Sequence, residues 1–293
     1  MSATTLPGSA PGPAPTGPAF GREIGLVLLR ELVRSLRSAK GIFLALITFV
    51  LGVATTLVLL YIQAKVYQKT GTAQGQAIGE GALELAYGKE IATSLATVPH
   101  VTFIMFSTTL TTAALLAAGL GYDAIATELQ YRGIRYSTVR ARRESVVVGK
   151  FLGTFALASL MTFTIHLISW LLMLVYSDTP PHVTFSWGPR LWAISLPISL
   201  AWCALVTFAS SLVKTPILAL FASLLAMLVL WICFGVGVTM DDYAWLSWVY
   251  PGGYDRLLLS PDPAAFAKGL GAALAFTAVF IGAAVFVTNK RDV

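Results

Sequence analysis

The chain has 293 residues, of which 56% are hydrophobic and only 12% are charged, and its formal net charge at pH 7 is +6. Soluble domains carry about 25% charged residues, because the surface that faces water must be solvated. The composition therefore excludes a soluble globular protein and indicates an integral membrane protein. The basic residues fall in short tracts between apolar runs, so we expect no nucleic-acid partner.

The first 40 residues divide into two segments of different composition. Residues 1–19 are rich in Pro, Gly, Ala, Ser and Thr and carry no charged side chain, which predicts a disordered tail. In residues 20–40, helical spacing places Arg30, Arg34 and Arg37 on one side and mainly leucines on the other. A basic rim beside an apolar face is typical of an amphipathic helix that lies in the membrane interface and contacts lipids. A cytoplasmic extension of the first transmembrane helix is the alternative.

Six apolar segments are long enough to cross a bilayer, whose hydrocarbon core of about 30 Å requires about 20 helical residues. We therefore predict an all-α fold with a polytopic domain of six transmembrane helices over residues 41–293. The predicted spans are residues 41–62, 100–122, 146–176, 190–213, 215–238 and 268–287. One side of these spans holds 14 of the 20 Lys and Arg residues. By the positive-inside rule that side is cytoplasmic, so both ends of the chain are predicted inside.

The predicted outer loop over residues 239–267 is rich in Tyr and Trp around Pro251-Gly252-Gly253. Such rings favour the headgroup level of a membrane, where the ring and its polar tip are both accommodated. The Pro-Gly-Gly break predicts a re-entrant segment before the last helix, which is tolerated only where protein or water satisfies the backbone. A plain aromatic belt is the alternative.

The spacing of reactive side chains predicts no catalytic, cofactor-binding or metal site. None of the three His residues has a second ligand at metal-binding spacing. His166 lies within the third span, and we interpret it as a neutral imidazole bonded to a neighbouring helix, with a functional role as the alternative. Gly149-Lys150 does not belong to a phosphate-binding loop, because Glu144 and Phe151 replace the Gly and the Ser or Thr of that motif. We therefore expect the chain itself not to be an enzyme.

The predicted cytoplasmic loop between the second and third spans, residues 123–145, is dense in charge. So many charges in a short loop favour a docking surface for another protein over a loop that only orients the chain. The candidate docking residues are Asp123, Glu128, Arg132, Gly133, Arg140, Arg142, Arg143 and Glu144.

This loop resembles that of the permease subunits of type-2 ATP-binding-cassette (ABC-2) transporters. In that family an acidic residue precedes a Gly, an Arg follows, and a Gly-Lys pair opens the third span. The matching residues are Glu128, Gly133, Arg140 or Arg142, and Gly149-Lys150. The Thr that usually follows the first Gly is Ile134 here. Six spans, an amphipathic helix and a re-entrant segment extend the resemblance over nearly the whole chain.

The resemblance implies a mechanical role. In the family, the loop forms a short coupling helix that sits in a cleft of a separate ATP-hydrolysing subunit. The resemblance thus implies two permease copies and two ATPase subunits in a bacterial cytoplasmic membrane. Substrate would pass between the two permeases along spans one, two and five. The substrate class stays open among lipid, glycan, drug, peptide and metal-related cargo.

Two other functions fit the same sequence. The chain is alternatively a membrane anchor that transmits ATPase-driven force to periplasmic or cell-wall partners, or a membrane-embedded enzyme that uses His166. An ATPase that co-purifies with the chain favours the permease and the anchor over the enzyme. A large periplasmic partner would separate the anchor from the permease.

The predicted orientation is testable with a water-soluble thiol reagent on intact cells. A cysteine introduced at Gln76 or Asp262 should react, and a cysteine at Ser137 should not, because the basic side of the chain stays in the cytoplasm. Labelling at Ser137 from outside would reverse the topology.

Overall fold

The computed structural model describes residues 20–70, 81, 83–131 and 142–291, and the described part of the chain is helical, without a strand. The predicted tail and residues 132–141 of the charged loop lie outside these ranges. The α-helices are α1 Phe20–Arg37, α2 Ala39–Thr70, α3 Lys89–Ser94, α4 His100–Gly121, α5 Ala126–Gln130, α6 Arg143–Tyr176, α7 Pro181–Leu212, α8 Pro216–Thr239, α9 Asp255–Leu258 and α10 Pro263–Lys290.

Six of these helices are long and apolar enough to cross a membrane, which confirms the predicted all-α, six-helix class: α2, α4, α6, α7, α8 and α10. The largest difference from the sequence prediction is the start of α7, which lies at Pro181 and not at residue 190. Proline fits the first turn of a helix because the amide hydrogen that it lacks has no helical partner there. Pro189 and Pro197 lie inside the same helix.

Helix α7 forms the centre of the bundle. Its most apolar 18-residue window is 61% buried within the chain, whereas that of α2 is 11% buried. Trp202 and Cys203 are fully enclosed, and they are flanked by Ala201 and Ala204, whose small side chains let neighbouring helices approach closely. The apolar outer surfaces of α2, α8 and α10 remain uncovered by this chain.

Helix α1 packs along the N-terminal part of α6. Gly149 and Gly153, one turn apart on α6, make this possible, because a Cβ at Gly149 would lie 2.6 Å from the Cβ of Val27. A Cβ at Gly153 would lie 2.9 Å from the Cβ of Glu31. The glycines therefore act as a small-residue groove that admits α1.

The amphipathic helix predicted around residues 20–40 is present as α1, but its faces divide differently from the sequence pattern. Arg30, Arg34 and Arg37 are exposed as expected, and so are Leu29 and Leu36. Two acidic side chains that the pattern did not single out, at positions 23 and 31, are buried against the protein. The face of α1 that packs on the protein therefore includes the two acids. The side that carries Leu29 and Leu36 is left uncovered by this chain.

A tight corner joins α1 to α2 at Ser38. The Ser38 hydroxyl donates to the carbonyl of Ser35 at 2.8 Å and accepts from the amide of Gly41 at 2.9 Å. The same side chain thus closes α1 and caps the first turn of α2. The lack of a side chain at Gly41 leaves room for the Ser35 carbonyl.

The segment between α8 and α10 consists of two 3-10 helices, Asp241–Val249 and Pro251–Tyr254, followed by α9. Trp245 and Trp248 are exposed, whereas Tyr254 and Leu258 are buried. The Tyr254 hydroxyl donates to the Trp248 carbonyl at 2.6 Å, and burial raises the pKa of Tyr254 to about 12. The part around Trp245 and Trp248 is thus exposed, and the part from Tyr254 to Leu258 packs on the bundle. The re-entrant path stays a prediction.

The close packing of α1 on α6 predicts that Gly→Ala substitutions on α6 and on α10 affect the stability of the fold differently. Gly149→Ala and Gly153→Ala should each destabilise the fold by about 1–3 kcal/mol, because the new methyl group overpacks the contact with α1. Gly282→Ala on α10, where no atom lies within 4 Å of the new Cβ, should be neutral or stabilise by up to about 1 kcal/mol through helix propensity. Unfolding midpoints in detergent check this, and equal effects at all three sites would contradict the packing.

Candidate functional site

A buried lysine near the N-terminal end of α6 joins three parts of the chain. The Lys150 side chain is only 5% exposed, and its Nζ lies 2.9 Å from a carboxylate oxygen of Glu128 on α5. It also lies 3.4 Å from a carboxylate oxygen of Glu31 on α1. A buried ammonium is costly unless it is paired, so these two contacts hold α1, α5 and α6 together.

The Glu31 carboxylate is shared with a second cation. Its other oxygen accepts from the Arg34 guanidinium at 2.5 Å, one turn further along α1. The Arg34 side chain is 43% exposed, so solvent screens this pair and its contribution to stability is small. The buried contact with Lys150 is therefore the one that anchors α1.

A second carboxylate of α1 caps the N-terminus of α6. Glu23 accepts from the Arg142 backbone amide at 3.1 Å and from the Ser145 hydroxyl at 2.7 Å. A negative charge is favoured at a helix N-terminus, where backbone amides are unpaired. The Ser145 hydroxyl, followed by the Arg142 amide, holds the pKa of Glu23 below its ordinary value of 4.5. This carboxylate therefore stabilises the fold above that pH, and the stabilisation is lost as the pH falls through the lowered folded pKa.

Short helix α5 is held by a side chain of the central helix. The backbone amides of Ile125 and Ala126 both donate to the Ser210 hydroxyl of α7 at 3.0 Å. A five-residue helix has too few internal hydrogen bonds to be stable alone, so this external cap fixes where α5 begins. Ile125 is itself buried, which attaches the start of α5 to the bundle.

The turn before α5 is fixed by a cation from α2. Lys40 Nζ donates to the Asp123 carboxylate at 2.5 Å and to the carbonyl of Leu120 at 3.1 Å. The same ammonium lies 4.6 Å from the centre of the Tyr122 ring. Lys40 thus binds one carbonyl in the last turn of α4 and the carboxylate of the turn that leads into α5. Positive charge is favourable at a helix C-terminus.

The predicted docking residues have different surroundings in the structure. Asp123 and Glu128 face inward into ion pairs, whereas Arg142 and Glu144 are exposed. Arg143 donates from one guanidinium nitrogen to the carbonyls of Thr288, Asn289 and Arg291, at 3.4, 3.3 and 3.1 Å. It thereby caps the C-terminus of α10. Arg132, Gly133 and Arg140 lie outside the described residues.

Sequence reasoning noted Lys150 only as part of the Gly149-Lys150 motif, and it missed the other residues on the far side of these contacts: Glu23, Glu31, Lys40, Ser145 and Ser210. One usable signal is the spacing of Glu23 and Glu31, which places both acids on the face of α1 that also carries Val27. An acid within an otherwise apolar face requires a partner, and Lys150 is a cation inside the predicted third span that also requires one. The cap from Ser210 had no such signal, because it joins positions about 85 residues apart in sequence.

His166 is fully buried on α6 and, as predicted, is bonded to a neighbouring helix, α4. Its Nε2 lies 2.9 Å from the Thr109 hydroxyl. In the described part of the chain no three His, Cys, Asp or Glu side chains meet in a group suited to a metal ion.

No protein-family model matches the chain, and no curated protein matches it in sequence.

The ion pairs of Lys150 predict that replacing this lysine alone lowers the stability of the protein more than replacing it together with its two carboxylate partners. Lys150→Met should destabilise the protein by about 3 kcal/mol, because it removes the ammonium that pairs with the buried Glu31 and the partly buried Glu128. Combining it with Glu31→Gln and Glu128→Gln should restore much of the loss, since the remaining polar groups are then uncharged. Denaturant titration in detergent measures both effects.

The matched control is Lys214→Met at the exposed α7–α8 turn, which should change the free energy of unfolding by less than about 0.5 kcal/mol. A Lys150→Met protein as stable as this control would show that the central ammonium does not hold the cluster together.

Proposed function

We propose that this chain is the permease subunit of an ABC-2 type transporter in a bacterial cytoplasmic membrane. Two copies assemble with two copies of a separate ATPase subunit, whose ATP hydrolysis drives the substrate across the membrane. The observation that supports this best is the way in which α5 is held. A five-residue helix on the predicted cytoplasmic face is fixed by side chains from three long helices.

Such attachment is what transmission of force requires. An ATPase that closes on ATP moves its partner only if it pushes on an element that does not yield, because a flexible loop absorbs the displacement. Helix α5 is joined to α6 by the pair between Glu128 and Lys150, and to α7 by the cap from Ser210. A displacement of α5 therefore reaches two of the membrane-spanning helices directly.

The exposed end of α5 is the surface that would meet the ATPase. Gln130 and Tyr131 are exposed, and the Tyr131 side chain is the most accessible large ring there at 73%. Arg142, at the start of α6, is also exposed. Aromatic and arginine side chains contribute strongly to protein interfaces because they bury large areas and bond in fixed geometry.

The pairing of two permease copies accords with the uncovered helices. The outer surfaces of α2 and α8 carry large apolar side chains with little cover from this chain. These are the first and fifth spans, which the resemblance associates with the interface between copies and with the substrate path. In this proposal lipid covers only the part of these surfaces that the second copy does not.

The docking test uses exposed residues. Glu128 is not used, because its carboxylate pairs with the buried Lys150 and its replacement would also disturb the fold. Tyr131→Ala and Arg142→Gln should each lower recovery of the ATPase subunit with a tagged chain about tenfold or more, as expected for interface anchors. A neutral replacement is chosen at Arg142 because the Glu23 carboxylate accepts from its backbone amide. Purification without crosslinking and quantitative mass spectrometry measure the recovery.

Two controls accompany these variants. Unfolding midpoints of both should equal that of the unaltered chain, and Arg190→Glu, on the predicted outer side, should retain the ATPase. If no ATP-binding-cassette subunit co-purifies with the unaltered chain, or if both variants recover it normally, the proposed docking is wrong. Sustained ATP hydrolysis by the chain alone would contradict the assignment of that activity to a partner.

A further inference from the structure

A cavity of about 470 Å³ opens at the end of the bundle opposite to α5. Its walls come from the end of α2, the start of α4 and the turn between α6 and α7, and they include Tyr67, His100, Tyr176, Asp178 and Val183. This volume lies within the range of cavities that hold small molecules. The walls carry hydroxyl, imidazole and carboxylate groups, so the cavity is suited to water and polar solutes.

One face of α6 below the cavity carries an apolar layer and then polar side chains. Starting from Ser177 in the cavity wall, successive turns away from the cavity carry Met173, which packs with Leu60, Val101 and Met105, then Ser169 with Trp170, and His166. The rise of an α-helix places His166 about 16 Å below Ser177 along the axis. Helices α4 and α7 enclose this face, so it is not exposed to lipid.

Several polar atoms on this face have no hydrogen-bond partner among the described residues. They are His166 Nδ1, Ser169 Oγ and Trp170 Nε1 on α6, Thr184 Oγ1 on α7 and His100 Nε2 at the cavity wall. His166, Ser169, Trp170 and Thr184 are all more than nine-tenths buried. Buried polar groups are almost always bonded to protein or to ordered water, because an unmade bond costs free energy.

These atoms occupy neighbouring positions. The rings of His166 and Trp170 are 6.1 Å apart, and the Trp170 ring lies 6.5 Å from that of Phe185, which follows Thr184 on α7. Gly188 lets the indole lie against the α7 backbone, since a Cβ there would be 2.5 Å from Nε1. These side chains thus form a polar zone that extends from below Met173 to the imidazole.

We infer that the cavity and the polar zone beneath it form one water-accessible vestibule that ends at the His166 imidazole. Water molecules bind the five polar atoms in turn, and small polar or cationic solutes enter from the same side. The vestibule lies between helices of a single copy, so it is distinct from a substrate path between two copies. It would exist whether or not the chain binds an ATPase.

Thiol reactivity in lipid nanodiscs tests the vestibule. Both faces of a nanodisc are accessible, so the result does not depend on the predicted orientation. In a chain carrying Cys203→Ala and Cys233→Ala, single cysteines replace Ser177, Ser169 or His166, and the probe is 2-aminoethyl methanethiosulfonate. The matched control is Leu171→Cys, which lies at the same depth on α6 but on its exposed apolar surface.

The expected order of reaction is Ser177→Cys first, then Ser169→Cys, then His166→Cys. The last two should each react at least about tenfold faster than Leu171→Cys, because a thiol ionises and reacts only where water reaches it. Ser169→Cys as unreactive as Leu171→Cys, in a protein whose Ser177→Cys reacts, would overturn the vestibule. Reaction at Ser169→Cys without reaction at His166→Cys would overturn its extension to the imidazole. Thr184→Cys is a second variant for the same zone if Ser169→Cys does not fold.

Discussion

The end of the bundle that carries α5 depends on one constraint, which is that the ammonium of Lys150 is buried and must be paired. An isolated charge in such a place would cost several kcal/mol, and the chain meets this cost with carboxylates from two separate segments. The pair with Glu31 holds α1 against α6, and the pair with Glu128 holds the short helix α5 against α6. The glycines on α6 are needed for the same reason, because only a close approach lets the carboxylate of Glu31 reach the lysine.

The six membrane-spanning helices could be predicted from the sequence because a single physical rule determines them. Hydrocarbon cannot satisfy backbone polar groups, so a long apolar segment must be helical whatever its neighbours are. The ends of the helices follow a different rule, and the early start of α7 at Pro181 shows it. Helical hydrogen bonding continues beyond the apolar core, and proline favours the first turn independently of hydropathy.

The charged loop was recognisable as a site, but the contacts of its residues were not. A count of charges treats Asp123, Arg142 and Arg143 alike, whereas the structure gives one an ion pair, one an exposed side chain and one a helix cap. Those differences arise from tertiary neighbours on α2 and α10, far away in sequence. Periodicity within one helix did contain the information that Glu23 and Glu31 share a face. Their burial depends on α6, which no local pattern describes.

The two prolines inside α7 have a consequence for how the molecule can deform. A proline removes the hydrogen bond to the carbonyl four residues earlier, at Phe185 for Pro189 and at Ala193 for Pro197, and so weakens the helix there against bending. Ser210, which caps α5, follows both prolines near the C-terminal end of α7, and Thr184 precedes them near its start. The central helix is therefore least resistant to bending near Pro189 and Pro197, which lie between the turn that lines the cavity and the end that caps α5.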